Sequence, residues 1–270
     1  MVLRMSVNRP AGRAIVVDGD KSIVALVRPL LLSARNFSVF SATDARSAWA
    51  LLEQSEPNLI LVAHAPPVLD APQFTRDLRR GDLPARKAPV VMLADQPTAV
   101  EIKAARDAGV YEVLRKPFTI KDLILRVDAA LDSKRDWIEG IAYVGPDRRR
   151  FNSAEYPGQL KRRVDRDPLS PEKARIGQAL KIMKAAIEAI DTEPNQALRA
   201  LRAQADELQD AAVAVTDLAL AGAARTLRGH LDRVADAGRF NSRQFASDID
   251  GLFGLTPRPE PAKKDVLWVE

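Results

Sequence analysis

Cysteine is absent from this chain of 270 residues, and it has only two histidines, His64 and His230. The first absence excludes disulfides, thiol nucleophiles and thiolate metal sites, and two histidines so far apart make no histidine-rich zinc set. Metal chemistry would fall to carboxylates, and no metal or other cofactor is expected. No apolar run approaches the roughly 18 residues needed to span a bilayer, and the opening MVLRMSVNRP lacks the apolar stretch of a signal peptide. The expected location is the cytoplasm. A basic block is missing too: the net charge of +5 comes from mixed-sign sequence, and no helix-turn-helix signature is visible, so nucleic acid is not an expected partner.

What is present is alternation. Between residues 13 and 133 short aliphatic runs, Ala14–Val17, Ser38–Phe40, Leu59–Val62, Val90–Leu93 and Glu112–Leu114, are separated by stretches of helical period. Short runs rich in β-branched residues, spaced by amphipathic helices, suit a parallel sheet covered on both faces. The pattern predicts an α/β fold with a five-stranded doubly wound parallel sheet. Its helices are expected over 21–34, 45–54, 72–80, 99–108 and 120–133, with Pro29 removing a backbone hydrogen bond from the first and kinking it. In open sheets of this kind ligands bind at the carboxyl ends of the strands, so chemistry is expected just after Val17, Val62, Leu93 and Leu114.

Those strand ends carry "IVVDGDKSI", "PNLILVAHAPPVLDA", "APVVMLADQ" and "DAGVYEVLRKPFTIKDLILRV". In this order they resemble a bacterial response-regulator receiver domain, with "LRKPF" the most specific piece. The resemblance implies a phosphorelay: acidic residues after the first strand hold magnesium, an aspartate after the third accepts a phosphoryl group, and a hydroxyl residue follows the fourth. A lysine after the fifth then pairs with the new charge.

Carried over position by position, the acidic pair becomes Asp18 and Gly19, with Asp20 one step on. Ala63 stands at the acceptor, Ala94 at the hydroxyl position, and Lys116 alone is unaltered, before Pro117. A methyl group can neither attack phosphorus nor bind a metal, so the resemblance implies a degenerate pocket with no catalytic residue. His64 should point to the opposite sheet face from its neighbour. Asp70 reads as a turn or helix-cap residue. Asp18 and Lys116 either pair permanently or remain as solvated remnants, and a cis bond before Pro117 would fit the fold.

Residues 134–169 are rich in proline, glycine and charge and read as a connector. Within it YVGPDRRR and YPGQLKRR share the pattern Tyr-x-Gly-x-x-basic-Arg-Arg. Tyr143, Arg148, Arg149, Arg150, Tyr156, Lys161, Arg162 and Arg163 could bind an anion such as a cyclic dinucleotide by guanidinium bonds and ring stacking. Alternatively these arginines pair with acids of the same chain.

Ser170-Pro171-Glu172 is a helix start. Stripes follow at 176, 180, 183, 187 and 190, at 198, 201, 205, 208, 212 and 215, and at 220, 224, 227, 231 and 234. Three such seams predict an all-α bundle over residues 170–254, with a fourth helix carrying Phe245, Ile249 and Leu252. Its surplus apolar surface could pair two chains. His230 reads as a surface residue, and 255–270 as a tail whose Val266–Val269 end packs back or docks on a partner.

Together these readings describe a non-enzymatic adaptor of two-component type, a pseudo-receiver that works through protein contacts. The face expected to make them is built from the fourth helix, fifth strand and fifth helix, including Tyr111 and Val113. The alternatives are a phosphorylatable regulator with a displaced acceptor and a sensor of an anionic nucleotide.

Overall fold

The computed structural model describes residues 12–132, 135–148, 151–152, 154, 171–237, 251–252 and 254–255. The chain divides into two compact units, one of residues 1–138 and 142–165, the other of 139–141 and 166–270.

In the first unit five strands alternate with five helices: β1 (Gly12–Val17), α1 (Lys21–Arg35), β2 (Phe37–Ala42), α2 (Ala45–Gln54), β3 (Leu59–His64), α3 (Ala71–Arg80), β4 (Val90–Asp95), α4 (Ala99–Ala108), β5 (Glu112–Lys116) and α5 (Ile120–Asp132). The sheet runs β2-β1-β3-β4-β5, with every pairing parallel. Successive side chains of a strand face opposite ways, so the sheet feeds two cores. Ile15, Val17, Ile60, Val62, Val90 and Met92 pack with Leu52, Phe74, Leu78 and Ala105 of α2, α3 and α4. Ala14, Val16, Leu59, Leu61, Val91 and Leu93 pack with Val27, Leu31, Leu123 and Val127 of α1 and α5.

Polar caps fix where the helices begin. Asp44 and Ser47 close a capping box on α2, and Thr98 and Glu101 close one on α4, each satisfying amide groups that lack helical partners. Asp70 accepts from Gln73 N at the start of α3, the cap role its sequence position suggested. Gly109 ends α4 at φ 91, a conformation that favours glycine. Pro29 does not break α1, which continues to Arg35 with the proline on its exposed side.

The expected connector is partly built structure. Two further strands, β6 (Trp137–Glu139) and β7 (Val144–Pro146), pair, and Tyr143 and Val144 are buried. Three-residue strands are too short to leave a periodic signal. The Tyr-x-Gly signature has a local reason: the Tyr143 hydroxyl donates to Pro146 O at 2.6 Å, and a Cβ on Gly145 would lie 2.8 Å from that hydroxyl oxygen.

The second unit contains α6 (Pro171–Glu188), α7 (Pro194–Ala214) and α8 (Leu218–Ala237). Leu180, Met183, Ile190, Leu198, Leu201, Leu208, Leu220, Leu227 and Leu231 of the three seams are buried in one cluster, which Leu252 joins. Val215 departs from its seam, because α7 ends at Ala214 and Val215, its cap, is only half-buried. Sequence periodicity missed Gln196 and Gln204, which are also buried. Gln196 Nε2 donates to Glu139 Oε1 and Gly140 O, both at 3.1 Å, and Gln204 Nε2 donates to Glu139 O at 3.3 Å. These bonds satisfy the buried carbonyls of an extended segment, the condition for burying its backbone. His230 is half-buried on α8, less exposed than expected. Phe245, Ile249 and the 256–270 tail lie outside the described residues.

Candidate functional site

The carboxyl ends of β1, β3, β4 and β5 form one rim of the sheet. Asp18, the residue after β1, is buried, and its two oxygens are both engaged: Oδ1 accepts from Asp20 N at 2.9 Å and Oδ2 from Lys116 Nζ at 2.8 Å. Of the two readings the sequence left open, the paired one is what the structure contains. The side chains of Lys116 and Asp18 are 14% and 5% exposed, so the pair is largely withdrawn from water. The Lys116–Pro117 bond is cis, as is Pro66–Pro67.

Asp20 does not join them. Its carboxylate caps α1 by accepting from Ser22 N at 2.8 Å, and that backbone bond holds its pKa below the ordinary aspartate value. Gly19 is exposed, whereas Ala63 and Ala94 are buried, their methyl groups standing where the resemblance puts an attacking carboxylate and a hydroxyl. A magnesium ion takes about six oxygens in an octahedron, one or two of them carboxylate and several of them water. Here the Asp18 carboxylate is already paired with Lys116, the Asp20 carboxylate caps α1, and the side chain of Ala63 offers no oxygen. Among the described residues no group of three or more histidine, aspartate or glutamate side chains could hold a metal.

His64 lies on the α3 and α4 side. Its Nδ1 accepts from Ala71 N at 3.3 Å, and its Nε2 lies 3.5 Å from Glu101 Oε1. The Thr98 amide, which bonds Glu101 across the capping box, is the main reason that carboxyl is held below its usual pKa, with His64 adding to it. One rim carboxylate escaped the sequence reading: Asp95, the exposed last residue of β4, is in register with Lys116. Its signal was available, since it directly follows Ala94.

Of the eight residues proposed for anion binding, only Tyr143 and Arg148 are described. Tyr143 is buried, which pushes its pKa up to about 12 against the opposing pull of Arg79 and Arg148. The Arg148 guanidinium lies 4.0 Å from the ring centroid and donates to Asp107 Oδ1 at 2.8 Å. The ring face expected to stack a base is thus covered by an arginine of the same chain. Arg149, Arg150, Tyr156, Lys161, Arg162 and Arg163 lie outside the described residues.

The expected contact face needs correction. Tyr111 and Val113 are only 7% and 6% exposed, covered by chain that follows α5. Arg135 stacks on Tyr111 at 4.4 Å, and Asn152 bonds the backbone of both residues. Aromatic and aliphatic residues on an outer strand read as a docking surface when the segment that covers them has no periodicity of its own.

With the sheet order, the rim and Lys116 in place, the comparison with known proteins is specific. Residues 14–128 match the family model described as the response regulator receiver domain. This segment is a receiver domain. The curated response regulator MprA of Mycolicibacterium vanbaalenii is 32% identical over 120 residues, a stretch covering 44% of this chain and 50% of that protein. The chain therefore spans half the length of that relative. Among solved structures, chemotaxis protein CheY4 of Vibrio cholerae is similar at 24% identity, with a TM-score of 0.41 over 44% of this chain and 98% of that one. The receiver domain of the sensor histidine kinase PA1611 of Pseudomonas aeruginosa, described with magnesium in its active-site cleft, is 22% identical at a TM-score of 0.40, over 45% of this chain and 98% of that one. Receiver domains are signalling modules of two-component systems, and no helix among the described residues is long and apolar enough to cross a membrane.

Proposed function

We propose that this protein is a non-enzymatic signalling adaptor whose receiver domain is a pseudo-receiver, held in one state without phosphorylation and acting through protein contacts. The observation that carries this is the 2.8 Å bond from Lys116 Nζ to Asp18 Oδ2, in a rim where Ala63 and Ala94 supply only methyl groups. In a receiver that switches, the lysine meets a negative charge that arrives with the phosphoryl group. Here its partner is a residue of the fold and is always present. The lysine tether is thereby permanent, and signal must enter through a partner protein instead of a phosphodonor.

The test is incubation of the full chain with a small acyl phosphate and magnesium, followed by intact-mass measurement and hydroxylamine treatment. No added phosphoryl mass is expected. A hydroxylamine-sensitive adduct overturns the reading, and peptide mapping then identifies the acceptor, with Asp95 the first carboxylate to inspect because Asp18 is already ion-paired and Asp20 and Asp70 cap α1 and α3.

A further inference from the structure

Helices α3 and α4 begin at the rim, and near their far ends lies a cleft with room of about 70 Å³, roughly five times what one water molecule requires. Arg76 and Arg80 of α3, Asp107 and Ala108 of α4 and residues 142–144 line it, all within the first unit. Arg76 and Arg80 stand one turn apart on the same face of α3, and both are half-buried. The Arg76 guanidinium donates to Gln73 Oε1 at 2.5 Å, a neutral acceptor, and no carboxylate among the described residues pairs with it. Asp77, its neighbour in sequence, is engaged by Gln73 Nε2 at 2.8 Å.

The carboxylate of the lining is already matched. Asp107 Oδ1 accepts from Arg148 at 2.8 Å and from Arg106 at 3.2 Å, and Lys103 Nζ lies 3.5 Å from Oδ2. Burial works against its charge, but the bonds from Arg148 and Arg106 outweigh burial and hold the carboxyl below the ordinary aspartate value. A further cation stands close by. Arg79 is fully buried, and its guanidinium donates to neutral carbonyls: Gly109 O at 3.0 Å, Arg86 O at 2.5 Å and Ala88 O at 2.8 Å. Burial lowers its pKa to about 10, which leaves it charged at neutral pH. It is near enough to Tyr143, a residue of the cleft, to oppose the rise in that phenol's pKa. A charge in the protein interior is screened less than one in water, so the field of Arg79 adds to that of Arg76 and Arg80.

We propose that this cleft binds a phosphate-sized oxyanion between Arg76 and Arg80. Planar guanidinium groups meet phosphate oxygens two bonds at a time, and a doubly charged anion offsets cations that the fold leaves without carboxylate partners. The site takes the phosphate end of its ligand and not a base, because the Tyr143 ring already carries the Arg148 guanidinium at 4.0 Å. Free phosphate and a phosphate monoester share this chemistry. Since the walls come from α3, α4 and residues 142–144, the bound anion ties that segment to the helices. The proposal stands whether or not the rim accepts a phosphoryl group.

The experiment is calorimetry on the full chain at constant ionic strength, with inorganic phosphate and adenosine monophosphate as probes and chloride as the control. Phosphate should bind saturably and chloride should not. Arg76→Gln should weaken phosphate binding about tenfold, the scale of a lost charge-assisted bond. Asp107→Asn, which removes the carboxylate of the lining, should strengthen it several-fold. A purely structural role for these side chains does not move the affinity in opposite directions. Lys21→Gln removes the same charge from an exposed position on α1 and should leave the affinity unchanged. Thermal melts without phosphate report whether each variant folds. If Arg76→Gln does not, Ala142→Glu at the exposed mouth of the cleft is the second test and should abolish binding. Tighter binding of adenosine monophosphate than of inorganic phosphate assigns the site to a monoester, and the reverse order assigns it to the free ion. The proposal is overturned by the absence of saturable phosphate binding, by equal losses in Arg76→Gln and Lys21→Gln, or by weaker binding in Asp107→Asn.

Discussion

Replacing Lys116 by methionine keeps most of the side-chain length and removes the charge that Asp18 faces. At 2.8 Å and an effective dielectric of about 20, the lost Coulomb attraction is roughly 6 kcal/mol, much of which is offset by the desolvation of both groups. Stranding one partner of a buried pair costs about 3–5 kcal/mol, and the 14% exposure of Lys116 argues for the lower end, about 3 kcal/mol. Removing both charges in Asp18→Asn/Lys116→Met should recover part of this, leaving a coupling of about 2 kcal/mol, in the range of hydrogen bonds to charged groups. Urea unfolding followed by tryptophan fluorescence is the assay. Trp49 and Trp137 both belong to the first unit, and a Trp268→Phe background confines the signal to it. The two units need not unfold together, so a probe limited to one of them is required. If Lys116→Met lies within about 0.5 kcal/mol of its parent, comparable to an exposed pair, the argument that this bond is a permanent structural tether is wrong.

Tyr143 gives a pH prediction. Burial raises its pKa to about 12, while an unfolded tyrosine ionises near pH 10. The folded state holds the neutral phenol, so the stability it contributes is complete below about pH 10 and disappears as pH rises toward 12. Ultraviolet titration should show a tyrosine ionising toward pH 12, and Tyr143→Phe should remove that step. In the helical unit, Met183 is fully buried on α6, and Met183→Ala should cost about 2–5 kcal/mol in the helical unfolding transition seen by circular dichroism. A loss below 1 kcal/mol would mean that the seam collapses around the gap.

How far the sequence carries depends on the range of the interaction. The central strands of the receiver were legible because they are buried on both faces, so that Ala14–Val17 and Leu59–Val62 must be aliphatic without interruption. The seams of α6, α7 and α8 were legible because burial on one side leaves a period. Asp70 could be assigned as a cap because its bond reaches only three residues along the chain. The state of Lys116 could not be assigned, since its partner is 98 residues away and either pairing or solvation suits the same letters. The role of Tyr111 and Val113 was misread for the same reason, because Asn152 lies about forty residues downstream in a segment with no repeat.

By itself the sequence determined the parallel sheet and the helical seams, because alternation and periodicity are local properties. Only the tertiary structure decided that Asp18 neutralises Lys116, that Arg148 covers Tyr143 and that Asn152 seals the edge of β5. Those outcomes depend on which groups meet after folding and lose their water together, and nothing in the neighbouring residues fixes that.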